Sequence, residues 1–170
     1  MKKMKEKERN EKAEVRVVCF TGHRKIPPEA AEGLPEQLET VISDLCDRGA
    51  TVFRTGGATG FDTIAALKIL EMKEAHPQIR LELILPCKNQ TENWDEGNLQ
   101  TYHYIMQKAD NCRFLFETYF DDCMLERDCC LVEGSDVCVA YCVHSQGGTA
   151  YTVSLAMKDG LEIINLFDQE

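Results

Sequence analysis

TGGATGFDTIAAL, residues 55–67, sets glycines at 56, 57 and 60 ahead of an apolar run at helical spacing. It follows TVFRT (Thr51–Thr55), a short β-branched and aromatic run that reads as a buried strand. A strand, a glycine turn and a helix in that order form the repeating unit of an α/β sheet. Glycines 56, 57 and 60 permit positive φ and let the backbone approach another group closely. The spacing is not the dinucleotide GxGxxG, and no GK[ST] follows as a P-loop requires. Two readings of the polar residues stand side by side. Thr59 and Asp62 have the spacing of a capping box. Alternatively the loop holds a ligand, and the carboxylate of Asp62 then suits ribose hydroxyls or a base amine better than a phosphate, because it already occupies the positive end of the helix dipole.

The same alternation extends outward along the chain. VRVVCF (Val15–Phe20), LELILP (Leu81–Pro86), RFLFE (Arg113–Glu117), DVCVAYCV (136–143) and LEIINLF (161–167) read as further strands. Between them, PEQLETVISDLCDRG puts Leu38, Val41, Ile42 and Leu45 on one helical face, with Gly49 as its stop. Helices are also expected from about Gly60 to Ala75, in the second half of 87–110, in CMLERDCCLVEGS and in TAYTVSLAMKDG. Continuous apolar strands alternating with helices predict a Rossmann-like three-layer α/β sandwich, a mostly parallel sheet covered on both faces. Residues 15–170 are expected to form this single domain, after a charged, disordered tail over 1–14 with six basic and four acidic residues.

Removing the tail's charge of +2 from the total of −10 leaves about −12 on the domain. Such a body repels polyphosphate backbones at long range, which disfavours nucleic acid as a partner. No apolar run approaches the roughly 18–20 residues needed to cross a bilayer, and MKKMKEKERNEKAE is not a signal peptide, so a cytoplasmic protein without membrane association is expected. Nine cysteines without a CxxC or a zinc-like Cys/His spacing read as reduced thiols, with Cys19, Cys138 and Cys142 acting as small hydrophobes in strands. Cys123, Cys129 and Cys130 form the densest group, and no metal is assigned to them.

Ligands of parallel α/β sheets bind beyond the carboxyl ends of the strands, where strand order reverses. Three polar or glycine-rich segments occupy such ends: TGHRK, TGGATGFD and HSQGGT. One cleft is expected to collect all three. In the third, Gly147 and Gly148 precede Thr149, which can cap the next helix and offer a hydroxyl to a phosphate, with no acid in the first turn to compete. The plainer alternative is a tight strand-to-helix turn. In the first, Thr21 and Gly22 lead to His23 and Arg24; Arg24 can clamp a phosphate, and His23 can donate to one or stack on a base. Arg127 sits between Glu126 and Asp128 and reads either as a ligand contact or as an ordinary salt-bridged arginine. Trp94 is a base cover or a packing plug. His103 and His144 show no clear partner.

CFTGHRKIP, RTGGATGFDTIAAL, LILPC, the segment Met124–Arg127 and GGTAYTVSLA occur in an order that resembles the YpsA-like branch of the SLOG superfamily. The likeness runs from about Val15 to Phe167. It implies a Rossmann-like fold related to the Smf/DprA DNA-processing proteins and the LOG (lysine decarboxylase-like) phosphoribohydrolases. It also implies a pocket for nucleotides or nucleotide derivatives, a homodimer, and a protein partner in bacterial cell division or stress response. LOG enzymes carry an arginine on the helix before a PGGxGTxxE loop whose glutamate takes part in cleaving an N-glycosidic bond. Arg127 and Gly147-Gly148-Thr149 match part of that pattern, but the glutamate position falls on Thr152, which cannot serve as a carboxylate. The expectation is therefore a binder of ADP-ribose, NAD or a mononucleotide-like ligand at residues 21–24, 56, 57, 59, 60, 62, 127 and 147–149, with no required cofactor. The alternatives are a phosphoribohydrolase taking its carboxylate from Asp62 or Glu126, and single-strand DNA binding.

Overall fold

The structure is a computed structural model describing residues 14–168. The tail expected over 1–14 lies, Glu14 apart, outside the described residues. The elements alternate: β1 (Val17–Gly22), α1 (Pro28–Asp47), β2 (Val52–Thr55), α2 (Phe61–Met72), β3 (Arg80–Cys87), α3 (Glu96–Lys108), β4 (Asn111–Phe116), α4 (Cys123–Val132), β5 (Val137–Tyr141), α5 (Gly148–Lys158) and β6 (Glu162–Asn165), then a 3-10 turn, Leu166–Asp168. The six strands form one parallel sheet in the order β4-β3-β2-β1-β5-β6. This is the Rossmann-like α/β architecture expected from the sequence.

Side chains alternate between two cores, as the strand period of two requires. Val18 and Phe20 on β1, Leu83 and Leu85 on β3, and Val139 on β5 join Leu38, Ile42 and Ile69 of α1 and α2. Cys19, Ile84, Cys138 and Ala140 turn the other way, against Leu131 and Val132 of α4 and Ala156 of α5. The second core is built from smaller residues, and this is where buried cysteine is used as a small hydrophobe: Cys19 and Cys138 are register partners, both fully buried. None of the nine cysteines forms a disulfide.

Helix α1 starts at Pro28, seven residues before the sequence reading placed it. Proline is favoured in the first turn, where its missing N–H bonds nothing, and Pro28 takes that place while Pro35 is carried inside the helix. The expected buried face holds, and Leu34 extends it by one turn.

Strands β1 to β4 step outward in one direction, then the chain returns across the sheet to lay β5 on the free side of β1. Order therefore reverses between β1 and β5, whose partners Thr21↔Ala140 and Gly22↔Tyr141 lie at their carboxyl ends. A crevice opens there. Among the described residues no helix is long and apolar enough to cross a membrane.

Candidate functional site

A cleft of about 350 Å³ fills that crevice. The turn after β1 supplies Thr21, Gly22, His23 and Arg24; the turn after β2 supplies Ala58 and Asp62. From β5 into α5 come His144, Gln146, Gly147, Gly148, Thr149 and Thr152, and α4 closes the floor with Met124, Arg127, Asp128 and Leu131. The three turns thus meet at one sheet edge. A wider groove of about 730 Å³, between the first half of α1 and Leu166–Phe167, contains none of the expected site residues.

The glycines divide by role. Gly147 has φ 104 and ψ −177, a conformation that only glycine adopts readily, and it stands at the N-cap position of α5. Neither Gly147 nor Gly148 has any atom within 4 Å of where a Cβ would stand. The first N–H groups of α5, on Gly148, Thr149 and Ala150, have no helical partner. Thr149 was expected to cap this helix; instead it lies within the first turn and no side chain caps the end. Because Gly147 reaches a backbone conformation closed to other residues, the helix begins two residues earlier than a cap at Thr149 would set it.

The glycines after β2 serve the fold. Gly60 has φ 75, and a Cβ there would collide with the backbone of His23 and Arg24. Phe61 N–H donates to His23 O at 3.1 Å, binding the first two turns together. Gly57, with φ 71, packs on Leu85, and Gly56 lies under the Arg127 guanidinium. Gly56, Gly57, Thr59 and Gly60 do not line the cleft. The capping box expected of Thr59 and Asp62 is also absent: Gly60 is the N-cap, and no side chain caps it. Asp62 Oδ2 instead accepts the Ala58 N–H at 3.1 Å, while Thr63 Oγ1 donates to Ala58 O at 3.1 Å. Oδ1 of Asp62 has no hydrogen bond among the described residues.

Helix α4 contributes more than the sequence reading allowed. Its buried stripe is Cys123, Arg127, Asp128, Leu131 and Val132. Glu126, a candidate carboxylate, falls off that stripe; it is exposed and does not line the cleft. Asp128 takes its place, 6% exposed. Arg127 is an ion-paired arginine and a cleft residue at once. Nε donates to Asp128 Oδ1 at 2.8 Å, and Nη1 donates to Gly56 O at 2.5 Å. Among the described residues its Nη2 reaches only the thioether of Met124, at 3.9 Å, and Arg24 Nη2 reaches the same sulfur at 3.8 Å. Two guanidinium groups therefore converge on an atom that accepts hydrogen bonds weakly.

Burial pushes the Asp62 carboxyl up to about 6, against the pull of Arg127, the Ala58 N–H and Arg24; the nearby Asp128 adds to the rise. Burial also raises Asp128, opposed by Arg127 and by the Thr152 hydroxyl. That hydroxyl has one proton, and its geometry gives it to Gly148 O at 3.0 Å, so Asp128 competes for it. His23 is lowered, first by burial and then by His144, whose ring centroid is 5.1 Å away. Its Nε2 accepts the Val143 N–H at 2.9 Å, which holds the ring neutral with its proton on Nδ1.

Trp94 packs edge-on against Tyr102 at 5.2 Å, away from the cleft, and so is a packing plug. His103 also lies against Tyr102. Among the described residues no group of three or more His, Cys, Asp or Glu is placed to hold a metal ion. Among the cleft residues not assigned from the sequence are Asp128 and His144. Helical phase from Cys123 through Arg127 to Leu131 marks Asp128 as inward-facing, whereas nothing local signals the contact of His144 with His23.

A parallel sheet with one reversal, and a glycine turn feeding a helix beside it, defines a Rossmann-like α/β domain. The model of the YspA SLOG family (YpsA) matches residues 27–162, and the chain belongs to that family. The matched span begins after the TGHRK turn. A UPF0398 protein of Brevibacillus brevis is 29% identical over 133 residues, covering 76% of this chain and 64% of that protein. Among solved structures, DNA processing protein A of Streptococcus pneumoniae superposes with a TM-score of 0.65 at 16% identity, over 88% of this chain and 49% of that one. The Helicobacter pylori protein of the same name, described with a single-stranded DNA binding mode, gives 0.62 at 21%, over 88% and 64%. This chain thus spans less than two thirds of the length of each of these three proteins, and the two structures share its fold.

Proposed function

We propose that the cleft binds a nucleotide or nucleotide-derived ligand, of the ADP-ribose, NAD or mononucleotide type, and that the protein serves as a cytosolic sensor or regulator. One observation carries the reading: Arg24 and Arg127 direct Nη2 groups at one thioether, in the same cleft as the N–H groups that open α5 and have no partner among the described residues. A phosphate satisfies both arginines with charge-assisted hydrogen bonds and accepts the amides at the positive end of the helix. The carboxylates of Asp62 and Asp128 then face the donor-bearing remainder of the ligand. Thermal-shift measurement with ADP-ribose, NAD and nucleoside 5′-monophosphates at millimolar concentration tests this; stabilisation by a phosphorylated nucleoside and none by the free nucleoside is expected. No stabilisation by any of them would overturn it.

A second reading, hydrolysis of a nucleotide's N-glycosidic bond, is favoured by the pair of buried carboxylates, with Asp62 pushed up to about 6. In it, Asp128 takes a proton from the attacking water, Asp62 gives one to the departing base, and ribose 5-phosphate and free base result. Release of free base from nucleoside 5′-monophosphates, lost in Asp62→Asn, supports this reading; no release retires it. Single-strand DNA binding, taken from the solved relatives, ranks last. It requires a basic groove with stacking aromatics, whereas this chain has a net charge of −10 and two carboxylates in the cleft.

A further inference from the structure

We infer that Asp62 and Asp128 grip the vicinal hydroxyls of a ribose, so that the cleft selects ribonucleotides against their 2′-deoxy counterparts. The inference rests on the nucleotide reading above and names which part of the ligand meets the floor of the cleft.

Thr152 Oγ1 donates to Gly148 O, one helical turn back, and the same hydroxyl lies against Asp128. Asp128 therefore sits about one turn, ~5.4 Å, below the amides of residues 148–150. That step matches the short arm between a 5′-phosphate and its sugar ring and falls well short of the base. Charge gives the same order. Arg127 lies between the two ends, with Nε on Asp128 and Nη2 toward Arg24's sulfur contact, so a phosphate on the Nη2 side is separated from the carboxylates by the guanidinium.

The chemistry of the floor narrows the ligand further. Asp62 and Asp128 are each 6% exposed, and Asp62 Oδ1 has no hydrogen bond among the described residues. Ionised carboxylates only accept, so whatever lies against them brings donors. Two adjacent hydroxyls supply one donor to each acid. A 2′-deoxy sugar leaves one buried carboxylate oxygen unpaired and bears the desolvation cost without return, which is how polar sites reject analogues lacking a hydroxyl.

The test is calorimetric titration of the wild-type chain with the four common nucleoside 5′-monophosphates and their 2′-deoxy forms. Each ribonucleotide is expected to bind at least about tenfold more tightly than its deoxy partner, the value of one hydrogen bond to a charged group. One of Asp128→Asn and Asp62→Asn, the acid that faces the 2′-hydroxyl, should bring that ratio toward one, and the other, which faces the 3′-hydroxyl, should weaken ribo and deoxy forms together; an unchanged ratio in both variants overturns the inference. Equal affinity of ribo and deoxy forms for the wild type overturns the inference and leaves the nucleotide reading standing. So does preference by base amine, with adenine and cytosine favoured whatever the sugar. Binding of neither form overturns the reading and the inference together.

Discussion

Arg24 and Arg127, from turn and helix more than 100 positions apart, point their Nη2 groups at one sulfur, Met124 Sδ, at 3.8 and 3.9 Å. Their other contacts differ, and so do their expected roles. Arg24 is exposed, whereas Arg127 is 7% exposed and tied to Asp128 and Gly56. Arg24→Ala should therefore lower affinity for a 5′-monophosphate by about 1.5–3 kcal/mol, the worth of hydrogen bonds to a charged group. The urea midpoint of the unliganded protein should move little. Titration calorimetry beside equilibrium unfolding reads both quantities.

Arg127→Ala acts mainly on the fold. It strands the buried Asp128 carboxylate and removes the donor from Gly56 O, and loss of one partner of a buried ion pair typically costs about 3–5 kcal/mol. Urea unfolding measures the loss. Arg127→Ala/Asp128→Ala should lose less than the two single variants together, because the second change removes the stranded charge.

Asp62 gives an unusual slope to the stability curve. Its carboxyl is raised from 3.8 to about 6, so the folded state holds the proton more tightly than the unfolded chain. Stability from this group is full below the unfolded value and is lost as pH rises through the folded one. Asp62→Asn keeps an acceptor for the Ala58 N–H and removes the buried charge. It should match wild type near pH 4 and exceed it near pH 8, by up to about 3 kcal/mol from the size of the shift. Unfolding at the two pH values shows whether the gap opens.

His23 slopes the other way. Its lowered pKa means that the folded state resists protonation, so its contribution is present above the unfolded value of 6.5 and is lost as pH falls through that value and below. Protonated Nε2 can no longer accept the Val143 N–H, and the charged ring would lie against the ring of His144. NMR titration of the imidazole should place His23 below the ordinary histidine range, with its Nε2 unprotonated at neutral pH.

The glycines predict a graded series. Gly60→Ala meets both a positive φ and the backbone of His23 and Arg24, and should be the most damaging. Gly147→Ala meets only the φ of 104 with open space around it, at about 1–3 kcal/mol. Gly148→Ala has open space and no positive φ, and should be close to neutral. Thermal unfolding of the three variants should rank them in that order.

Strand positions and the face of α1 were legible because burial writes itself as periodicity: Leu38, Val41, Ile42 and Leu45 are all buried. The meeting of three turns was legible from strand ends alone. What was hidden depended on partners distant in the chain. Glu126-Arg127-Asp128 leaves open whether the arginine meets a ligand or only its neighbours, and packing of α4 over β3 and β1 turns Arg127 and Asp128 inward while leaving Glu126 outside. Gly56, Gly57 and Gly60 read as ligand glycines, yet they accommodate Arg127, Leu85 and the His23–Arg24 backbone. Helix starts shifted where proline or glycine offered a conformation that local preference for Thr149 or Pro35 did not anticipate.

Gly148→Leu tests the central claim most directly, because the position is exposed, has nothing within 4 Å of a Cβ and lies beside the unpaired amides. Calorimetric titration of wild type and variant with one nucleoside 5′-monophosphate that stabilises the wild type is the measurement. The account predicts an unchanged circular dichroism spectrum and a loss of affinity of tenfold or more, about 1.4 kcal/mol. Equal affinity in a folded Gly148→Leu would contradict it, since the phosphate would then lie somewhere other than the mouth of α5.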